Sequence, residues 1–149
     1  MPVKVVDASA IGALLFGEPE ASFISAALKN TKMVSPSLIS LEVTNICLKK
    51  IRRHFPQQDL IRNAFRLFFH MDIEKLDVDC SSVLFLAEQT GLTGYDASYL
   101  WVAQKLGADL LTLDKTLENA FRKMGNQTSA SGTSIVPAGE QGTFCFPGG

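Results

Sequence analysis

Val3-Lys4-Val5-Val6-Asp7-Ala8-Ser9-Ala10 opens the chain with a short β-branched run that ends on an acid. A second passage repeats the plan far downstream, Ala108-Asp109-Leu110-Leu111-Thr112-Leu113-Asp114. Short apolar runs of this kind read as strands buried on both faces, and a helical pattern follows each of them. Met33-Val34 and the segment from Ile73 to Val78 read as further short strands, with helical patterns between them. Strands alternating with helices imply an α/β fold: a three-layer α/β/α sandwich around a mostly parallel sheet of four to five strands. The fifth strand would be Ser134-Ile135-Val136.

The helices are expected from their punctuation. Ser9 reads as the N-cap of a first helix that stops at Gly17, and Pro19 starts a second through about Lys29. Ser35-Pro36 reads as the cap and first turn of a helix reaching His54, with Glu42 in its middle. Pro56 separates it from a helix over 57–71. Asp79 can cap a helix ending near Gly91, and Thr93-Gly94-Tyr95-Asp96 leads into another closed by Gly107. Asp96 then lies in a first turn, where free N–H groups and the helix dipole favour an anion. A last helix runs from about Lys115 to Lys123.

With 149 residues, 46% of them hydrophobic, the chain can build one real core and not two. Residues 1–124 read as that domain; beyond Gly125 the composition turns to Gly, Ser, Thr, Pro and Gln, a tail over 125–149. A net charge of -1 neither favours nor excludes nucleic acid. Cys47, Cys80 and Cys145 are odd in number and far apart, which argues against a disulfide framework or a zinc site and for reduced thiols in the cytoplasm. No signal peptide is expected, and no apolar run reaches membrane-spanning length.

Four acids stand in apolar surroundings: Asp7, Glu42, Asp96 and Asp114. In open α/β sheets ligands bind outside the carboxyl ends of the strands, and Asp7 and Asp114 both follow strands directly. Taken singly, each acid has a plainer reading. Asp7 and Asp114 could be turn or cap residues, Asp96 a dipole partner, and Glu42 part of a solvated stripe with Asn45 and Lys49. Taken together, carboxylates brought close cost too much unless cations neutralise them, which points to one or two Mg²⁺ or Mn²⁺ ions. Such ions, as a pair about 3.5–4 Å apart or singly, can activate water and stabilise a leaving oxygen in phosphodiester hydrolysis. No Walker loop, GxGxxG, GxSxG or kinase motif is present. Asp7-Ala8-Ser9 also lacks the Asp-x-Asp of a haloacid-dehalogenase-type phosphatase. Lys49, Lys50, Arg52 and Arg53 could guide an RNA backbone but read first as a solvated helix end. His54 and His70 lack partners at ligand spacing, and Phe65, Phe68, Phe69 and Trp101 read as core or interface rather than base-stacking groups.

Val5-Val6-Asp7-Ala8-Ser9-Ala10, Leu41-Glu42-Val43-Thr44-Asn45, Gly94-Tyr95-Asp96-Ala97-Ser98-Tyr99-Leu100 and Leu111-Thr112-Leu113-Asp114 resemble, in this order, the successive motifs of the PIN-domain family, in particular its VapC-type toxin ribonucleases. The resemblance spans roughly residues 3 to 124. It implies a metal-dependent endoribonuclease, commonly a homodimer, paired with a small antitoxin that blocks the site in a type II toxin–antitoxin system. By motif position Asp7, Glu42, Asp96 and Asp114 carry over as the acidic quartet, with Ser9, Thr112 and Asn45 as supporting polar groups. On that reading Asp7 and Asp96 contact the principal metal and Asp114 helps hold it or a second ion. Glu42 completes the shell or orients the attacking water. The alternative is a PIN-like module that binds RNA or a protein without cutting.

Overall fold

The computed structural model describes residues 1–130. Four strands, β1 (Val3–Val6), β2 (Lys32–Pro36), β3 (Ile73–Leu76) and β4 (Asp109–Leu111), form one sheet in the order β3-β2-β1-β4. Every pairing is parallel, with Val5 opposite Val34 and Leu110, and Met33 opposite Ile73. Consecutive residues Val5 and Val6, like Leu110 and Leu111, are all fully buried, so both faces of β1 and β4 are covered.

Among the described residues, seven α-helices provide that cover: α1 (Ala8–Leu15), α2 (Ala21–Leu28), α3 (Ile39–Arg53), α4 (Gln58–Phe68), α5 (Cys80–Thr90), α6 (Gly94–Leu106) and α7 (Lys115–Ala130). The first helix packs on α2, α3 and α4, whereas α6 lies on β1, β2 and β4 and packs against α5 and α7. This is the expected three-layer α/β/α sandwich. Ile11, Ile24, Ile39, Phe68, Tyr99, Leu100 and Leu117 join Leu110 and Leu111 as its most completely buried large side chains. Each such aliphatic or Phe side chain contributes about 1.5–3 kcal/mol by leaving water. Among the described residues no helix is long and apolar enough to cross a membrane.

Several boundaries differ from the expectation. The N-cap of α1 is Asp7, not Ser9: its side chain accepts the Ala10 N–H. The helix starts as soon as the strand ends, so the acid reaches the orphan donors first. Ser35-Pro36 is the end of β2 rather than a helix start. Pro36 stands opposite Leu76, and the Ser37 N–H donates to the Leu76 carbonyl, so pairing with β3 decided a dipeptide whose fixed φ suits either role. Helix α3 accordingly begins at Ile39, and Glu42 lies in its first turn instead of its middle. Gly125 does not stop α7, since a helix-interior glycine costs only about 1 kcal/mol relative to alanine. The short strand expected at 134–136 lies outside the described residues. Asp79, Gly91 and Gly107 take the cap positions expected of them, and the Thr93 hydroxyl caps α6 by accepting the Asp96 N–H.

The secondary features resolve plainly. Lys49, Arg52 and Arg53 are exposed, and Lys50 pairs with Glu18 at 3.6 Å above the Phe16 ring. His54 and His70 are exposed. Phe68 is core, Phe69 is half exposed, and Trp101 is partly buried under Lys105. Cys47 is a buried free thiol and Cys80 an exposed one.

Candidate active site

Asp7 sits where β1 hands over to α1. It is 5% exposed, and its own N–H continues the β1–β4 ladder to the Leu111 carbonyl at 3.3 Å. Oδ1 accepts from the Ser9 hydroxyl at 2.7 Å and from the Ala10 N–H at 3.0 Å; Oδ2 accepts from the Thr112 hydroxyl at 2.5 Å. Thr112, fully buried just after β4, also accepts the Asp114 N–H at 2.9 Å. The Ser9 hydroxyl in turn accepts the Leu113 N–H at 2.9 Å. Two chain segments about a hundred residues apart are thus stitched together at the carboxyl edge of adjacent strands. A carboxylate offers about four lone-pair directions, and this network takes three of Asp7's. The one left over sets the direction in which Asp7 can hold a ligand.

The other three acids come from three further helix N-termini. Asp114 follows β4, and its Oδ1 caps α7 by accepting the Leu117 N–H at 3.0 Å. Asp96 occupies the first turn of α6 behind the Thr93 cap, whose hydroxyl accepts the Asp96 N–H at 3.1 Å. Glu42, in the first turn of α3, accepts at Oε1 the Tyr99 hydroxyl at 2.5 Å. All of these side chains are partly buried.

The electrostatics tie the four together. Burial pushes the Asp7 carboxyl up to about 6, against its three hydrogen bonds and with the help of the negative charge on Asp114. Glu42 is also raised, first by burial and then by Asp7 and Asp96, with the Tyr99 hydrogen bond opposing. Asp96 is raised by burial and by Asp114. Each acid therefore feels at least one of the others, and no Lys or Arg figures among the groups acting on Asp7, Glu42 or Asp96. Even so, among the described residues no three Asp, Glu, His or Cys side chains are disposed to enclose a metal ion as they stand. The two observations agree on physical grounds: mutually repelling anions already engaged by hydroxyl and N–H donors stay within Coulombic reach without closing into a cage. The donor set fits Mg²⁺ or Mn²⁺, hard cations that take carboxylate oxygens and keep several waters.

Of the supporting polar residues, Ser9 and Thr112 donate their hydroxyls to Asp7, whereas Asn45 is exposed one turn along α3 from Glu42 and no described hydrogen bond joins it to the acids. Tyr99 is the group that sequence reasoning passed over. Three residues after Asp96 it stands in the buried run Ala97–Leu100 of α6, 1% exposed, and its hydroxyl ionises only far above the ordinary phenol range because of burial and Glu42. The available signal was a phenol within a mostly apolar helical stretch, since a buried tyrosine hydroxyl needs a partner.

Comparison with known proteins identifies the family and supports the fold. The PIN domain family model matches residues 4–123. The chain is 31% identical over 122 residues to Ribonuclease VapC3 of Pyrobaculum aerophilum, covering 78% of this chain and 93% of that protein. Its fold is similar to the crystal structure of PAE2754 from Pyrobaculum aerophilum, with a TM-score of 0.65 at 24% identity over 87% of this chain and 96% of the other. The chain belongs to the PIN-domain family.

Proposed function

We propose that this protein is a Mg²⁺- or Mn²⁺-dependent endoribonuclease of the VapC type, the toxin of a type II toxin–antitoxin pair working in the cytoplasm. The observation that carries the reading is the coupling of Asp7, Glu42, Asp96 and Asp114, anions from four elements with no basic neighbour acting on the first three. The kinship with Ribonuclease VapC3 supports RNA as the substrate class. When bound, the cation would neutralise the cluster and supply the acidified water and charge stabilisation that phosphodiester hydrolysis needs.

The chain's own residues do the rest. Asp7, fixed by Ser9, Ala10 and Thr112, and Asp96, fixed by the Thr93 cap, would hold the principal ion, and Asp114 would hold it or a second one. Glu42 would complete the shell or orient the attacking water. Water oxygen adds to phosphorus in line with the leaving oxygen, the P–O3′ bond breaks, and O3′ leaves as the hydroxyl, giving 5′-phosphate and 3′-hydroxyl ends. Exposed Leu41 and Tyr95 flank Glu42 and Asp96 in sequence, at 75% and 68% exposure, and offer apolar surface for a small antitoxin. Leu84 and Phe85 on α5 offer the same for a homodimer.

The test is cleavage of single-stranded RNA by the purified protein with EDTA, then with Mn²⁺ or Mg²⁺ restored, followed by analysis of the product ends. Cleavage that EDTA abolishes and metal restores, with 5′-phosphate products, is expected. Cleavage that persists in EDTA would overturn the metal assignment, and divalent-metal binding without any cleavage would favour the non-cutting RNA- or protein-binding module.

A further inference from the structure

The Tyr99 phenol oxygen occupies a junction that the quartet alone does not explain. It donates to Glu42 Oε1 at 2.5 Å, and through this one hydroxyl α6 is tied to the first turn of α3. Tyr99 is also anchored where few side chains can move: it is 1% exposed, between buried Ser98 and Leu100, on a helix packed against β1, β2 and β4. Glu42, by contrast, projects from a helix first turn with exposed Leu41 and Thr44 beside it, and Tyr99 is its one described side-chain hydrogen bond.

We infer that Tyr99 is the positioning residue of this site: its hydroxyl, donated to Glu42 Oε1 from a buried place on α6, fixes the Glu42 carboxylate within reach of Asp7 and Asp96 so that the metal meets a preorganised fourth acid. The inference rests on the metal-dependent nuclease reading. The physical reasoning is that of outer-sphere support. A flexible Glu has three side-chain torsions to freeze, a buried phenol freezes them in advance, and loss of such a partner typically costs about 10–100-fold in metal affinity or activity. Because only one oxygen is engaged by Tyr99, Oε2 stays available toward the cluster.

The experiment compares wild type, Tyr99→Phe, Glu42→Gln and the double variant by Mn²⁺ titration, read as loss of the free-ion electron paramagnetic resonance signal, together with kcat and KM on RNA. Tyr99→Phe keeps the ring in its packing and deletes only the hydroxyl. The expected result is about a 10–100-fold weaker Mn²⁺ affinity with kcat reduced and KM for RNA little changed, and a double variant no worse than Glu42→Gln alone. Wild-type behaviour of Tyr99→Phe, or losses that multiply in the double variant, would overturn the inference while leaving the nuclease reading intact. Failure of wild type itself to bind Mn²⁺ and to cleave would overturn both. Should Tyr99→Phe not fold, a second measurement serves. The chain has two tyrosines, so ¹³Cζ-tyrosine labelling gives an assignable resonance for Tyr99. That resonance is expected to shift on Mg²⁺ addition in wild type and to stay still in Glu42→Gln, and a resonance indifferent to Mg²⁺ in wild type would overturn the proposal.

Discussion

Asp7 holds a carboxyl at about 6 in the folded protein, whereas an unfolded Asp titrates near 3.9. A carboxyl raised on folding makes the native state bind its proton more tightly, so its ionisation opposes folding. The penalty is absent below about pH 4, grows between about 4 and 6, and is complete above, where two pKa units correspond to about 3 kcal/mol. Metal-free protein is therefore expected to lose stability as pH rises through this window. Asp7→Asn removes the charge while keeping an acceptor for the Ser9 hydroxyl and the Ala10 N–H, so it should melt higher than wild type at pH 7 without metal. The gap should close toward pH 4, and Mn²⁺ should stabilise wild type only. Calorimetric melts of both proteins across pH, with and without Mn²⁺, check this; a variant that melts lower at neutral pH would show that the Asp7 charge is already compensated. Legibility at this scale was uneven. Asp7, Asp96 and Asp114 were readable because each follows a strand or opens a helix, positions that sequence marks. Glu42 was placed in mid-helix because Ser35-Pro36 mimics a helix start, and Tyr99 was missed because its partner is 57 residues away, a pairing that no local pattern encodes.

Element ends, more than element interiors, build the site. α1, α3, α6 and α7 each bring one acid within the first turn or at the cap, where orphan N–H groups and the dipole favour negative charge. Thr93 is the cap that holds Asp96 there, through its hydroxyl and the Asp96 N–H. Thr93→Ala should cost about 1 kcal/mol of stability and weaken Mn²⁺ binding together, and Thr93→Ser should restore both. Thermal melts and Mn²⁺ titration of the three proteins check it; a stability loss with unchanged metal affinity would separate the cap from the site. Caps with a strong chemical preference, Asp79 and the left-handed Gly91 and Gly107, were legible in sequence. Those decided by sheet pairing, as at Ser35-Pro36, were not, because the deciding contact is β3, almost forty residues on.

For the whole molecule, the parallel order β3-β2-β1-β4 places Asp7 and Asp114 beyond the carboxyl ends of the adjacent strands β1 and β4 and leaves the helices α3 and α6 to deliver Glu42 and Asp96. Alternation of short buried strands with helices was enough to read this architecture. The convergence of the acids was not, since it depends on how α3 and α6 pack rather than on any spacing. On the proposed reading, four repelling carboxylates within Coulombic reach, with hydroxyls to orient one of them, would gain from a divalent cation. The most direct test is an anomalous-scattering difference map from crystals of the wild-type protein soaked in Mn²⁺. The expected result is a peak at bonding distance from Asp7 and Asp96, with Asp114 on it or on a second peak beside it and Glu42 reached directly or through one water. No peak at the quartet in crystals of protein that cleaves RNA, or a Mn²⁺ peak held by other residues, would contradict a single four-acid metal centre.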